Sequence, residues 1–269
     1  SELEFWRFEG RREALQGVNR QHQVQPLHIY DELRPKPYQD DRSPTKGTSS
    51  YSALYLKILT DQGVEGVYGP IDREAAIVVH NQLRSLLKGK NALAGETLWD
   101  QMHRSNRHSR RGHFMMGISA VDNALWDLRG KWFGAPVYRL LGGPTRPEIE
   151  AYGSCLGFSL EPDLVRQRST QLKQQGFRNQ KWFLAHGPGS GPEGMTKNVE
   201  LVRNLRDAVG DEVDLMFDAY SGRNLDYAIS WAKQVEKFRP RWIEEAFHPD
   251  KIESFSALRR ATSIPVATG

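Results

Sequence analysis

The sequence predicts an α/β protein in two parts: an α+β domain over residues 1–145, then a run of parallel βα units over 146–269. Three observations carry this. Residues 51–59 (YSALYLKIL) alternate apolar and polar side chains, as a half-buried strand does. From Met116, Ile118, Val121, Leu125 and Leu128 fall on one helical face. Beyond 146, five short apolar runs alternate with four helical patterns, the rhythm of βα units and a parallel sheet.

With 269 residues, 38% hydrophobic and 26% charged, the chain can bury a sizeable core, and seven Trp and eleven Phe exclude a disordered chain. No apolar run approaches the ~20 residues of a membrane span, so no membrane partner is expected. The stretch from Ser1 to Phe5 lacks a secretory pattern, and a lone Cys155 forms no internal disulfide; both readings fit a cytoplasmic protein. The net charge of +4 is too small an excess for a polyanion partner. The densest basic stretch, 104–111 (RSNRHSRR), interleaves no aromatic residues for stacking bases. It reads as a solvated loop or a lid on the substrate side, not as a nucleic-acid surface.

The elements follow in order. Residues 3–13 and 51–59 read as strands, with Asp61-Gln62-Gly63 as turn chemistry before 64–68. Between them, 31–50 is crowded with Pro, Asp, Lys, Ser and Gly and reads as a functional flap or a disordered loop. A helix over 72–88 sets Ala75, Ala76, Val79, Leu83 and Leu86 to one side, and 94–102 forms a short helix. The helix from Met116, its face widened by Ala124, ends near Gly130 and Gly134. Val137, Leu140 and Leu141 mark one more helix, stopped by Gly142-Gly143-Pro144. Strands are then predicted at 149–155, 178–183, 213–217, 241–244 and 264–268, with helices near 161–175, 197–209, 224–237 and 251–261.

Asp218 and Glu244 directly follow apolar runs in successive units, at the C-terminal ends of adjacent parallel strands, where active sites of such folds form. Two carboxylates converging there repel each other unless a cation or a proton is shared. Hard oxygen donors suit Mg2+, which commonly takes one or two carboxylates. The alternative is that each acid caps the helix that follows.

The stretch 117–131 (GISAVDNALWDLRGK), followed by 136–143 (PVYRLLGG), closely resembles the signature of the mandelate racemase and muconate lactonizing enzymes of the enolase superfamily. It departs mildly where Gly117 takes a position that is usually Ala. The resemblance runs on through Phe217-Asp218, Trp242-Ile243-Glu244-Glu245 and 264–269 (IPVATG), covering nearly the whole chain from about residue 50. It implies an N-terminal capping domain followed by a (β/α)8 (TIM) barrel, of which five strands are present here. In such enzymes three acids on successive strands bind the essential Mg2+. Asp218 and Glu244 match the first two, Glu245 is a supporting neighbour, and the third is expected immediately past Gly269. Five strands do not close a barrel, so the chain is expected to be part of a longer one.

The chemistry the resemblance implies is removal of the proton beside a carboxylate, through a metal-stabilised enediolate. Many relatives carry Lys-x-Lys on the second barrel strand; here the stretch is Lys181-Trp182-Phe183, with the second lysine replaced. This disfavours a two-base racemase. It favours a sugar-acid dehydratase of the rhamnonate type, acting in carbohydrate catabolism, with a His base on a later strand and a 2-keto-3-deoxy acid as product. A racemase or epimerase of a hydroxy acid, or a metal-binding relative without turnover, are the alternatives. A homo-oligomer, dimer or larger, is expected.

Lys181 is then a candidate to steady the substrate carboxylate, against an ordinary strand-end lysine. The glycine- and proline-rich stretch 184–194 matches neither a P-loop nor GxGxxG and reads as an active-site loop. Its His186 is a candidate acid, base or substrate contact, or a plain loop histidine. Tyr220 is a candidate substrate contact or a wall residue, and His28 belongs either to a specificity flap or to the surface. Trp182, Phe183, Trp242 and Cys155 read as packing.

Overall fold

The computed structural model describes residues 2–13, 23–33, 48–108 and 110–269. These divide into two compact units: Glu2–Glu13 with Thr48–Glu148, and 23–33 with Ile149–Gly269.

In the first unit, β1 (Glu2–Glu13), β2 (Thr48–Leu59) and β3 (Glu65–Tyr68) form an antiparallel sheet in that order. Pairing runs from Glu2↔Leu59 to Glu13↔Thr48, and the alternation read at 51–59 turns Leu56 and Ile58 inward with Leu3. The helical region after β3 is α1 (Arg73–Val78), a π turn (Val79–Leu83) and α2 (Arg84–Leu87). The π turn adds a residue to the winding; Leu87 is buried, and the expected Leu86 packs half-buried against the same core. α3 (Gly95–Ser105) leads to α4 (Gly112–Phe133), which starts earlier than its apolar pattern because Phe114 already faces the core. Ile118, Val121, Ala124, Leu125 and Leu128 are all buried against the sheet and α1. A Cβ on Gly117 would stand 2.8 Å from Val78 Cγ1, which accounts for glycine where the resemblance has alanine. α5 (Val137–Leu140) closes the unit.

In the second unit, β4 (Gly153–Ser154), β5 (Asn179–Phe183), β6 (Asp214–Asp218), β7 (Trp242–Glu244) and β8 (Val266–Ala267) make one sheet in chain order, every pair parallel. Between them run α6 (Pro162–Gln174), α7 (Gly191–Val209), α8 (Leu225–Val235) and α9 (Ile252–Ala261). This is the (β/α)8 succession carried through its first five strands. β4 is far shorter than the predicted 149–155: it pairs on one side only, and Ile149 is exposed. α7 begins at Gly191, inside the stretch expected to be loop, since Pro192 is compatible with a first helical turn.

Side chains alternate across this sheet. Trp182, Leu184, Leu215, Phe217, Ala219 and Ile243 join the main core with Val202, Leu205, Trp231 and Val235 of the helices. The other face carries Lys181, Phe183, Met216, Asp218, Trp242 and Glu244. Cys155 is fully buried in that core, and burial pushes its thiol up to about 11, a packing residue as expected.

Among the described residues no helix is long and apolar enough to cross a membrane. Arg104, Arg107, Arg110 and Arg111 of the basic stretch are exposed, and most of the predicted flap, 34–47, lies outside the described residues.

Candidate metal centre

Parallel register sets the site. Phe183 pairs with Asp218 and Asp218 with Glu244, so the two carboxylates stand in one row across adjacent strands. Lys181 lies one layer earlier, in a row with Met216 and Trp242, and its side chain extends toward the strand ends. Its Nζ lies 3.1 Å from Asp218 Oδ2 and 2.5 Å from Glu244 Oε1. The acids do not cap helices; both turn to a single cationic nitrogen. Lys181 and Asp218 are buried, and Glu244 is half-buried. Burial by itself would lower the Lys181 pKa. The hydrogen bonds to Glu244 and Asp218, with their charges, outweigh it and raise the pKa above the ordinary lysine value.

The second oxygen of each carboxylate is held by the protein. Tyr220 N–H donates to Asp218 Oδ1 at 2.9 Å, an Asx turn, and Trp242 Nε1–H donates to Glu244 Oε2 at 2.9 Å. The Asx turn needs an unusual backbone: Tyr220 and Ser221 have φ of 48° and 56°, and Glu245 has 47°. Left-handed geometry at non-glycine residues costs on the order of 1–3 kcal/mol each and clusters at functional sites. Bonds between loops hold it here: Ser221 N–H to Glu245 O at 2.6 Å, Ala219 N–H to Glu244 O, and Glu245 N–H to Ala267 O. Glu245 therefore ties strand ends together through its backbone, and its carboxylate has no hydrogen-bond partner among the described residues.

His186 sits just past β5, half-buried, with its backbone clamped by Asn198 on both its N–H and its carbonyl. Burial lowers its pKa, Lys197 and Arg223 lower it further, and Glu193 opposes them. Tyr220 is 45% exposed, and its backbone N–H is what reaches Asp218. His28 belongs to a short 3-10 turn, Pro26–Ile29, where its Nδ1 accepts from Gln25 N–H. The stretch before that turn lies on the strand ends: Gln23 Nε2 donates to Asp218 O, and Val24 packs on Gly187 and Gly222. Lys181, Asp218 and Glu244 thus converge, with Tyr220 attached by its backbone; His186 and His28 occupy neighbouring loops.

Two residues escaped the sequence reading. Trp242 reads from the sequence as a core or wall residue, and no sequence signal marks an indole that orients a carboxylate two residues on. Arg223 is buried and ties β5 to β6, donating to Leu184 O at 2.8 Å and Ala219 O at 3.0 Å. Burial depresses its pKa to about 10 against the pull of Tyr227 and Asp218. It adds positive potential behind the acids.

Among the described residues no group of three or more His, Cys, Asp or Glu side chains is arranged to hold a metal ion by itself. The donor set is two carboxylates, which meets the Mg2+ preference for hard oxygens with water or ligand completing the shell. The Lys181 ammonium occupies the space between them.

Comparison with known proteins bears on the family and the fold. Residues 29–142 match the mandelate racemase/muconate lactonizing enzyme N-terminal domain, and 163–269 match the enolase C-terminal domain-like family. The L-rhamnonate dehydratase of Saccharopolyspora erythraea is 34% identical over 216 residues, covering 80% of this chain and 53% of that protein. The crystal structure of L-rhamnonate dehydratase from Gibberella zeae superposes with a TM-score of 0.78 at 28% identity, covering 97% of this chain and 63% of the other. That of the 3,6-anhydro-D-galactonate cycloisomerase from Zobellia galactanivorans gives 0.72 at 32% identity, covering 82% and 61%. The chain spans about half the length of the curated relatives it matches.

Proposed function

Because the chain belongs to the mandelate racemase/muconate lactonizing enzyme family of the enolase superfamily, we propose that it contributes the metal-binding half of a hydro-lyase that dehydrates a sugar acid with Mg2+. The observation that carries the reading is the convergence of Asp218 and Glu244 on one cationic position. Likeness to two L-rhamnonate dehydratases supports the substrate class.

Asp218 and Glu244 would hold Mg2+, with the Tyr220 N–H and the Trp242 indole fixing the angle of each carboxylate. When bound, the cation supplies the positive charge that makes the proton beside a substrate carboxylate acidic enough to leave. Lys181 would face the same carboxylate with its ammonium. Phe183, fully buried beside Asp218, gives that position an apolar wall with no group able to carry a proton. This favours dehydration over epimerisation, which needs proton carriers on both faces of the substrate carbon. His186, kept neutral at lower pH than an ordinary histidine, is a candidate to accept a proton or a hydrogen bond from the substrate at an imidazole nitrogen. Catalysis in the cytoplasm by a homo-oligomer completes the proposal, as does a boundary near residue 145 between capping and catalytic domains.

The test is incubation of the full protein with Mg2+ and a panel of six-carbon sugar acids in deuterated water. Formation of a 2-keto-3-deoxy acid supports the dehydratase. Deuterium gained at the α-carbon without a keto product replaces it with an epimerase.

A further inference from the structure

Lys181 holds the place that the two carboxylates define. Its nitrogen is within 3.1 Å of both acids, while the remaining oxygen of each is engaged by Tyr220 N–H or Trp242 Nε1–H. A divalent cation held by Asp218 and Glu244 would draw on the same carboxylates, and two positive centres packed against them would repel each other. The lysine stem is flexible, and a second seat lies close by: the Tyr152 ring centroid is 5.9 Å from Nζ, within cation–π range. The Tyr152 ring itself is set edge-on to Trp242, at 6.4 Å between centroids.

Resting on the metal reading above, we propose that Lys181 is a built-in competitor for the cation: binding of Mg2+ between Asp218 and Glu244 displaces the ammonium, which moves toward Tyr152. The displaced ammonium is then free for an anionic ligand, so metal binding prepares the charge that receives a carboxylate. The site accordingly binds Mg2+ more weakly than its carboxylates alone would, and gains affinity when an anion gives the lysine a new partner. A purely structural ion pair behaves in the opposite way. Its loss lets the carboxylates splay and weakens metal binding.

The experiment is calorimetric titration of the full chain with MgCl2 alone, at fixed pH and ionic strength. Lys181→Met and Lys181→Gln should bind Mg2+ at least tenfold tighter than the parent chain, and Lys181→Arg, which keeps the charge, should stay within threefold of it. Mg2+ should also raise the melting temperature of Lys181→Met by more than it raises the parent's. If the uncharged variants fold only with Mg2+ present, back-titration with a chelator reads the same affinities. Equal or weaker binding by Lys181→Met and Lys181→Gln overturns the competition while leaving the metal site standing, as does Lys181→Arg binding as tightly as Lys181→Met. No saturable binding by any of the four overturns the metal site and the competition together.

Discussion

Trp242 donates its indole N–H to the Oε2 of Glu244, its neighbour two residues along β7, at 2.9 Å. Residues two apart on a strand share a face, so the hydrogen bond forms within one strand and fixes the carboxylate plane before any ligand arrives. Partners of this kind typically change metal affinity by about 10- to 100-fold when removed. Trp242→Phe, which keeps the ring and drops the donor, should weaken Mg2+ binding by roughly tenfold or more with little change in melting temperature. Unaltered affinity in calorimetry would return Trp242 to a packing role.

Asp218 takes part in more contacts than its partner acid. It accepts from Tyr220 N–H, pairs with Lys181, and its carbonyl accepts from Leu184 N–H and Gln23. Asp218→Asn keeps the shape and the Asx turn but leaves one carboxylate to share with Lys181. Saturable Mg2+ heat should vanish in this variant while its far-ultraviolet dichroism stays that of the parent. An affinity equal to the parent's would remove Asp218 from the site.

The sequence was legible where a pattern is local and repeats. Alternation along β2, helical spacing along α4 and the βα rhythm beyond residue 146 each report one face of one element. Asp218 and Glu244 were readable because parallel strands one unit apart put their last residues side by side. What could not be read depends on neighbours. β4 is short because it pairs on one side only, and the π turn at Val79–Leu83 interrupts the helical spacing and brings Leu87 into the core beside Leu86. The reach of Lys181 across two strands and the burial of Arg223 are tertiary facts with no local signature. The start of α7 was hidden by glycines and prolines that look like a loop and are tolerated in a first helical turn.

Gly222 is where the stretch carrying His28 is fastened. A Cβ there would stand 2.3 Å from Val24 O and 2.9 Å from its carbonyl carbon, so backbone meets backbone and neither can yield easily. Its φ lies outside the left-handed region, which makes close approach, not torsion, the reason for glycine. Gly222→Ala should lift residues 23–33 from the strand ends and cost about 1–3 kcal/mol, the usual range for overpacking. Amide exchange in 23–33 should quicken while exchange in β6 stays slow. Unchanged protection in 23–33 would mean that Val24 is not seated there.

His186 gives a pH dependence whose sign follows from its surroundings. Burial comes first, then the positive charges of Lys197 and Arg223, and together they lower its pKa in the folded chain, with Glu193 acting the other way. The unfolded chain, with an imidazole pKa of about 6.5, therefore binds the proton more readily than the folded one. The stability held by neutral His186 is complete above that value and drains away as pH falls through it toward the lower folded pKa. Melting temperature should decline as pH drops below about 6.5, and His186→Gln, which cannot take a proton, should flatten that decline. The same variant probes the proposed proton-accepting role, because loss of turnover at pH 8, where the parent imidazole is neutral in either state, cannot be ascribed to the stability effect. Parallel melting curves against pH for the two proteins would show that His186 is solvated and that its buried, cationic setting is not as described.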